Sequence, residues 1–395
     1  MAKKRVLIIS TGAGTGHIRA ADALEKTFRQ HSDVGEVVHL DALNYTNQLF
    51  SDFYSKFYTT LVESAPNFLG WWYKQSDEPW KTDPMRLALD RLNTVPLVKF
   101  IRGFDPDITV CTHFMPAGII SHLMSKKELQ TQLSIVVTDF DFHAMWLSRH
   151  FHRYFVAIEE TKAHLDTLGL PPERITVSGI PVDPDFGKPI DRARIRTEFG
   201  LDPDKTTILL SAGAVGLGYA EFIVERLQTL RNDVQTIVLC GRSADLRARI
   251  AEMTASSKLK FQVYGFVTRM HELMGASDLF IGKPGGLTTA EALAVGLPMV
   301  IVAPIPGQEE RNSDHLLEEG IAIKCNEMTT LPFKIDRLLD EPGRLAQMRE
   351  NTRRLAKPNA AWTIVNTLMG DKLPPIRISK EEVEAIAAVV TREGS

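Results

Sequence analysis

A glycine turn followed by a short apolar helix is the strongest chemical signal in the sequence. The apolar run Leu279–Gly282 predicts a buried strand, and Lys283-Pro284-Gly285-Gly286 predicts a turn after it. Thr288 stands as a candidate N-cap, Glu291 follows in capping-box register, and Ala290–Val295 predicts the helix. A helix start exposes unpaired N–H groups and the positive end of the helix dipole. The turn therefore suits a phosphate, although glycine turns also occur in α/β proteins that bind none.

Three polar side chains follow the next predicted strand. Met299–Val302 is the apolar run, and Gln308, Glu309 and Asn312 come shortly after its end. Open α/β sheets bind their ligands beyond the carboxyl ends of the strands. These side chains are therefore candidate ligands for the molecule whose phosphate the turn would hold.

A second glycine loop follows the first apolar run of the chain. Arg5–Ser10 predicts a strand, 11–16 a glycine loop, and His17–Phe28 a helix. A dinucleotide fingerprint with Asp41 as the ribose acid is disfavoured, because His17 stands where a third glycine would allow close packing. The helix dipole disfavours an imidazolium at a helix start, so His17 is expected to be neutral and able to accept a proton. A histidine that only caps or packs is the alternative.

Three more loops with polar side chains follow predicted strands. The strands are Ile108–Cys111, Leu133–Val137 and Tyr154–Ala157. The first loop carries His113, with capping of the backbone as the alternative role, and the second carries Asp139 and His143. Because parallel strands end at one edge of the sheet, we expect these loops on one rim. Asp139-Phe140-Asp141 matches a D-x-D metal motif, so these residues alone leave a metal site as an alternative.

The second half of the chain begins with the same strand-and-glycine pattern. Thr207–Leu210 predicts a strand and 211–218, which includes Gly213, a glycine loop. After the next predicted strand, Arg242 is a candidate nucleotide-facing arginine. This repetition predicts paired Rossmann-like domains. The boundaries are a first domain over 1–180, a linker over 181–205, a second domain over 206–358, a helix over 359–370 that crosses back, and a tail over 371–395.

Composition limits the function classes. The 395 residues are 44% hydrophobic and 24% charged, typical of a soluble globular protein of two domains. A net charge of −3 argues against nucleic-acid binding. The three cysteines lie in apolar runs and predict buried, reduced thiols. No run approaches the roughly 20 apolar residues that span a bilayer, and no signal peptide is evident, which predicts a cytoplasmic protein.

An aromatic segment between the second and third predicted strands indicates a membrane contact. Between Tyr45 and Trp80 the chain places a large share of its aromatic residues, several of them at helical spacing over 50–61. Such a stripe is as well explained by core packing. Trp71 and Trp72 lie in a predicted loop, where amphipathic rings favour the bilayer interface, so we assign these two to the membrane.

The glycine turn and its surroundings resemble a known family. Gly285-Gly286 with Thr288 and Glu291, the run EALAVGLP and the run PGQEERN resemble the donor-binding half of family 28 glycosyltransferases, most closely the monogalactosyl- and processive glucosyl-diacylglycerol synthases. Gly16-His17 also matches the family, although Thr15 replaces a common glycine. The resemblance spans about Arg5 to Leu368. It implies the GT-B fold, which is α/β with two Rossmann-like domains facing a central cleft.

The resemblance also implies roles for individual residues. Glu291 would accept both ribose hydroxyls, and Gln308 and Glu309 would hold the hexose. The backbone at Gly213, Gly285 and Gly286 would bind the diphosphate, and Phe266 and Val267 would wall the uracil. The loop with Thr138, Asp139 and His143 would lie near the acceptor. Our own assignment of the base is His17, with Asp139 as the second candidate, and His113 is placed near the acceptor by its position at a strand end.

The expected reaction is a metal-independent, inverting transfer of a hexose from a UDP-sugar to diacylglycerol at the inner face of the cell membrane. UDP-hexose is a substrate, and no cofactor is expected. Another lipid acceptor, a UDP-sugar epimerase and a non-catalytic nucleotide-sugar sensor are the alternatives. The sequence leaves open whether the sugar is glucose or galactose.

Overall fold

The chain forms two units, each built around a parallel sheet. The computed structural model describes residues 3–12, 14–46, 70–71, 75–79, 94–212, 217–379 and 381–384. The first unit contains Met1–Pro184, Pro306–Gln308 and Asn359–Ser395, and the second contains Asp185–Ile305 and Glu309–Pro358. The second unit thus begins inside the segment predicted as a linker.

The first unit has a six-stranded parallel sheet in the order β2-β1-β3-β4-β6-β7. Its strands are β1 (Lys4–Ser10), β2 (Val34–Asp41), β3 (Ile108–Cys111), β4 (Gln132–Val136), β6 (Arg153–Val156) and β7 (Ile175–Val177), with the short β5 (His150–Phe151) outside it. Strands covered on both faces must be apolar throughout, and β3 and β6 are buried at every residue.

Helices cover both faces of the first sheet. They are α1 (Thr15–Phe28), α2 (Val95–Phe104), α3 (Phe114–Ser125), α4 (Glu159–Thr167) and, far along the chain, α13 (Ala360–Gly370). Side chains of a strand alternate between its faces. Accordingly, Leu7 and Ile9 join the core under α2 and α3, whereas Val6 and Ile8 join the core under α1 and α13. The helix at 360–370 is therefore an integral layer of the first unit.

The second unit has a six-stranded parallel sheet in the order β10-β9-β8-β11-β12-β13. Its strands are β8 (Thr207–Leu210), β9 (Gln235–Leu239), β10 (Lys260–Tyr264), β11 (Leu279–Gly282), β12 (Met299–Val302) and β13 (Ala322–Cys325). Its helices are α5 (Arg192–Glu198), α6 (Leu217–Leu227), α7 (Ala244–Thr254), α8 (Met270–Ala276), α9 (Gly286–Ala294), α10 (Gln308–Glu318, whose first residue lies in the first unit), α11 (Leu331–Asp340) and α12 (Arg344–Leu355).

Each sheet has one point at which the strand order reverses. In the first sheet the chain goes from β1 to β2 on one side and later to β3 on the other. In the second sheet it goes from β8 to β9 on one side and later to β11 on the other. Connections that leave neighbouring strands in opposite directions open a crevice beyond the carboxyl ends, and ligands of open α/β sheets bind there.

Two predictions from composition concern the cysteines and the lengths of the apolar segments. Cys111, Cys240 and Cys325 are buried free thiols, as predicted, and burial raises the pKa of each. In the part of the chain that the structure describes, no helix combines the length and apolar character needed to cross a bilayer.

The segment after α13 is tied to the first unit by a buried ion pair. Asp371 accepts hydrogen bonds from Arg153 Nε at 3.1 Å and Nη2 at 2.6 Å, and both side chains are about 90% buried. Burial opposes ionisation of Asp371, but the hydrogen bonds from Leu373 N–H and Arg153 outweigh it and lower the pKa of the carboxyl. Beyond it, β14 (Ile376–Arg377) pairs antiparallel with β5, and Ile378 joins the core. The first part of the predicted tail is therefore structural.

We expect Asp371→Ala to lower the free energy of unfolding of the first unit by about 3 kcal/mol, because Arg153 would keep a buried charge without its carboxylate. All five tryptophans fall within the residue ranges of this unit, so tryptophan fluorescence during urea denaturation reports on it. The matched control is Glu36→Ala, which breaks the exposed pair with Arg5 at 3.1 Å. That change should cost less than about 1 kcal/mol. Equal losses in the two variants would contradict the structural role of the segment.

Candidate functional site

His17 lies at the reversal point of the first sheet and is held by the neighbouring strands. The helix α1 begins at Thr15, two residues earlier than predicted, so His17 lies in its first turn. His17 Nδ1 lies 3.0 Å from the backbone oxygen of Thr112, which follows β3, and 2.8 Å from Thr138 Oγ1, which follows β4. The loops after β3 and β4, two of the three that were predicted to share one rim, therefore meet the start of α1 at His17 in the first unit.

The hydrogen bonds of His17 decide which ring nitrogen carries the proton. A carbonyl oxygen only accepts hydrogen bonds, so Nδ1 must donate to Thr112 and Nε2 of the neutral ring is an acceptor. Burial lowers the pKa of His17 from 6.5 to about 4, opposed by the hydrogen bond to the Thr112 carbonyl. His17 is therefore neutral near pH 7 and holds a lone pair on Nε2.

His113 and His143 have the opposite tautomer. His113 Nδ1 accepts the N–H of Met115 at 3.2 Å and caps α3. His143 Nδ1 accepts the N–H of Met145 at 3.2 Å and caps the 3-10 helix Ala144–Trp146. In each neutral ring the proton must lie on Nε2. Of these three histidines, His17 is the one whose Nε2 can accept a proton. His113 and His143 instead cap helix starts, which is the alternative role predicted for His113.

Aromatic rings surround His17. Its ring meets that of His113 edge-on, with centroids 4.8 Å apart, and lies 6.4 Å from the ring of Trp146. Phe114 packs against both His113 and Trp146. These rings supply the desolvation that keeps His17 neutral.

The two aspartates of the D-x-D sequence both have protein partners. Asp141 Oδ1 accepts the N–H of Phe142 at 2.7 Å. Asp139 is buried, and its Oδ2 accepts a hydrogen bond from Gln308 Nε2 at 2.5 Å, within the first unit, to which Pro306–Gln308 belongs. Asp139, the second candidate base, is thus hydrogen-bonded to Gln308, one of the residues predicted to bind the hexose.

Asp41, the ribose acid of the dinucleotide alternative, has a local role. Its Oδ1 accepts the N–H groups of Gly12 at 3.0 Å and Leu43 at 2.9 Å. A methyl group at Gly12 would lie 2.5 Å from Asp41 Oδ2. The carboxylate therefore holds the glycine loop against the end of β2, a sufficient reason for an aspartate at this position.

In the second unit, the predicted phosphate turn leads into α9, but the predicted capping box is wrong. The helix begins at Gly286 with Gly285 as its N-cap, and no side chain caps it among the described residues. Thr288 and Glu291 fall inside the helix, so neither occupies the capping-box position. The helix start consists of glycine backbone, which leaves room for a ligand to approach the N–H groups.

Residues of α10 hold the turns around that helix start. Asn312 is fully buried, and its Nδ2 donates to the Pro284 oxygen at 3.1 Å. Glu309 Oε2 accepts the N–H of Ile305 at 2.7 Å, and a methyl group at Gly285 would lie 3.4 Å from Oε1. Glu309 therefore borders the start of α9. Glu291, on α9 itself, is 2% exposed.

The chain leaves β12 through a strained residue. Ala303 has a φ of 44°, in the left-handed region of backbone conformations that residues other than glycine rarely adopt. Such strain, of the order of 1 kcal/mol, accumulates at binding sites, where the surrounding structure enforces it. The loop that delivers Glu309 thus begins with an enforced turn.

The remaining predicted ligands lie at the carboxyl ends of β9 and β10. The guanidinium carbon of Arg242 lies 5.5 Å from the ring centroid of Phe266, which is 65% exposed. Val267 follows in the same loop and is partly buried. Gly213 and Trp72 lie outside the described residues, as does the aromatic stripe over 50–61, while Trp71 is 56% exposed.

Sequence reasoning missed two residues of the His17 environment. Thr112 was not singled out, although a polar residue directly before His113 at a strand end is a signal that could have found it. Trp146 was missed because its contact with His17 joins segments far apart in the chain, and no local pattern reports such a contact.

Comparison with known proteins decides the family. The family model described as monogalactosyldiacylglycerol (MGDG) synthase matches residues 17–182, and that of glycosyl transferases group 1 matches residues 191–355. A processive diacylglycerol beta-glucosyltransferase of Bacillus mycoides is 30% identical over 93% of this chain and 94% of that protein. The chain belongs to glycosyltransferase family 28. A second relative with the same description, from Bacillus licheniformis, is 26% identical over 97% of this chain and 99% of its own.

Solved structures confirm the fold of this glycosyltransferase. MurG of Acinetobacter baumannii superimposes with a TM-score of 0.61 at 16% identity, over 93% of this chain and all of that one. MnaA of S. aureus with UDP gives 0.60 at 14% identity, over 95% of this chain and all of that one. At these identities the likeness concerns the fold alone, and the predicted GT-B fold is confirmed.

Proposed function

We propose that this glycosyltransferase moves a hexose from a UDP-sugar to diacylglycerol, with inversion and without a metal, at the inner face of the cell membrane. The observation that carries the proposal is the neutral His17 ring with its acceptor nitrogen at the reversal point of the first sheet. The names of the relatives, which specify diacylglycerol, support the acceptor.

The donor would bind to residues at the carboxyl ends of the second sheet. The N–H groups at Gly285 and Gly286, with backbone at Gly213, would hold the diphosphate. Glu291 would accept the ribose hydroxyls, and Gln308 and Glu309 the hexose hydroxyls. Arg242, Phe266 and Val267 would border the uracil, while Thr288 and Asn312 complete the turn around the phosphates.

The chemistry would be a single displacement. The acceptor hydroxyl gives its proton to His17 Nε2 while its oxygen forms a bond to the anomeric carbon of the hexose. The bond from that carbon to the diphosphate oxygen breaks on the opposite face, and UDP leaves with the bonding electron pair. Backbone N–H groups stabilise the charge that develops on the leaving diphosphate, which is the role a metal would otherwise fill.

Asp139 is the less favourable base. Its carboxylate accepts the hydrogen bond from Gln308, whereas His17 presents a nitrogen lone pair fixed by two hydrogen bonds on the other side of the ring. The fixed orientation favours His17.

The first test is a product assay with purified protein, diacylglycerol and UDP-glucose or UDP-galactose, read by mass spectrometry. We expect hexosyl-diacylglycerol from the wild type. His17→Ala should lower turnover by about 10²–10⁴-fold, the usual contribution of a general base, with little change in UDP affinity.

Activity should persist in EDTA. If EDTA abolishes activity and Mn²⁺ or Mg²⁺ restores it, the metal-independent mechanism is overturned, and Asp139-Phe140-Asp141 becomes the candidate metal site. An epimerised UDP-sugar in place of a glycolipid would establish the epimerase alternative, and UDP-sugar binding without any product would establish the sensor. Full turnover in His17→Ala would make Asp139 the base to test.

Two carboxylates of the second unit should separate nucleotide binding from sugar binding. Glu291→Ala should weaken binding of both UDP and UDP-sugar by about 1.5–3 kcal/mol, the range for hydrogen bonds to a charged group. Glu309→Gln, which keeps an oxygen to accept from Ile305, should weaken UDP-sugar but leave UDP unchanged. Calorimetry with both ligands measures the difference. Unchanged UDP affinity in Glu291→Ala would remove Glu291 from the ribose site.

The membrane contact would involve Trp71. Its ring is 56% exposed, and an exposed amphipathic ring gains free energy at a bilayer interface. We expect Trp71→Ala, alone and with Trp72→Ala, to reduce sedimentation with vesicles of phosphatidylglycerol and diacylglycerol, while UDP affinity stays unchanged. The matched control is Phe333→Ala on α11, which removes a 66% exposed ring from the second unit. Equal partitioning of the wild type and the Trp71 variants would contradict this surface assignment.

A further inference from the structure

We infer that Thr112 and Thr138 are positioning residues that hold His17 in the one tautomer able to accept a proton at Nε2. This inference rests on the proposed function of His17 as the base. The two threonines touch no reacting atom, but through His17 they would affect the rate of the transfer.

Thr112 holds both the backbone and the ring of His17. Its hydroxyl donates to the backbone oxygen of His17 at 2.9 Å, and its own backbone oxygen accepts from Nδ1 at 3.0 Å. Thr112 is fully buried at the end of β3. The two bonds join the start of α1 to the neighbouring strand, so the ring orientation follows the register of the sheet and does not depend on the glycine loop alone.

Thr138 supplies a second acceptor for the same N–H group. Its Oγ1 lies 2.8 Å from His17 Nδ1, and its side chain is buried. Because the Nδ1 proton points at the carbonyl of Thr112, the hydroxyl oxygen of Thr138 accepts as well. When Nε2 takes a proton the ring becomes positive, and hydrogen bonds to a charged donor are about twice as strong as neutral ones. The pair thus stabilises the imidazolium that forms during transfer, as the third group of a nucleophile–base arrangement does.

The opposite edge of the ring faces a position without a side chain. A methyl group at Gly14 would lie 3.6 Å from His17 Cδ2 and 4.0 Å from Nε2, and Gly14 has a φ of 153° that disfavours any other residue. Threonines therefore fix the Nδ1 edge, and the glycine loop leaves the Nε2 edge without a side chain at Gly14.

The test compares Thr138→Val, which replaces the hydroxyl with a methyl group of similar size, with Thr138→Ser, which restores an oxygen. The matched control is Thr109→Val, three residues before Thr112 on β3. Thr109 Oγ1 shares a buried 2.9 Å hydrogen bond with Thr131 Oγ1, so this variant also loses a buried hydroxyl but touches no part of His17.

We expect Thr138→Val to lower kcat by about 10–100-fold, the rate equivalent of one hydrogen bond to a charged group, with KM for both substrates unchanged. Thr138→Ser should recover most of kcat, and Thr109→Val should keep it. The acidic limb of the pH profile of kcat/KM should move to lower pH in Thr138→Val, because the lost acceptor favoured the protonated ring. A purely structural role would lower kcat without moving that limb.

A measurement without turnover separates this inference from the proposed function. A ¹⁵N-histidine NMR spectrum of the wild type should contain one histidine that is absent from His17→Ala, with a protonated Nδ1 and an unprotonated Nε2. In Thr138→Val, which keeps the Thr112 carbonyl, the same tautomer should remain, but the Nδ1 signal should shift because one acceptor is lost. If His17→Ala is inactive but Thr138→Val matches Thr109→Val in kcat, pH profile and Nδ1 signal, the positioning role is overturned and the proposed base remains. If His17→Ala keeps full turnover, the proposed base itself is overturned.

Discussion

In each unit the parallel sheet begins near its middle, and the connections after its two central strands leave in opposite directions. All strands of a parallel sheet end on the same side, so the crevice between those connections collects whatever polar groups the loops carry. In the first unit it collects His17, Thr112 and, one strand further, Thr138. In the second unit β11 leads into the glycine start of α9, and the loop after β12 brings Glu309 to its border. Both groups of predicted site residues depend on this arrangement of strands.

Desolvation and hydrogen bonding act together on His17. Burial against the rings of His113 and Trp146 keeps the imidazole neutral, and the Thr112 carbonyl decides which nitrogen keeps the proton. A low pKa makes the ring a weak base in the absence of substrate. In the proposed reaction, the acceptors at Nδ1 would offset that weakness when the ring becomes charged, because their bonds would then strengthen. The site thus combines a neutral resting state with stabilisation of the protonated one.

The proposed donor-binding surface of the second unit consists of backbone that side chains hold in place. Asn312 fixes the carbonyl of Pro284, and Glu309 fixes the N–H of Ile305, so both turns beside α9 are set by residues of α10. The turn that contains Ile305 begins close to Ala303, whose φ of 44° lies in the left-handed region. A diphosphate would meet N–H groups already oriented, and little reorganisation would be needed when charge develops.

The sequence by itself determined the secondary structure around the site, because apolar runs of four to six residues bounded by glycine, proline or polar residues are strong local signals. It also determined the family, through the closely spaced residues from Gly285 to Asn312 and Gly16-His17. It predicted the neutral state of His17 from the helix dipole alone, whereas burial is the main cause in the structure.

Only the tertiary structure decided how those residues are used. The prediction of a capping box with Thr288 as N-cap was wrong. The helix begins at Gly286, with the backbone of Gly285 as its N-cap, so Thr288 lies inside the helix. Asp41 and Asp141 matched motifs in sequence, yet Asp41 accepts the N–H groups of Gly12 and Leu43, and Asp141 accepts that of Phe142. The hydrogen bonds at Nδ1 of His17, which fix its tautomer, come from Thr112 and Thr138, which lie 95 and 121 residues away. Local patterns carry no information on such contacts, since they arise only when β1, β3 and β4 lie in one sheet with a fixed register.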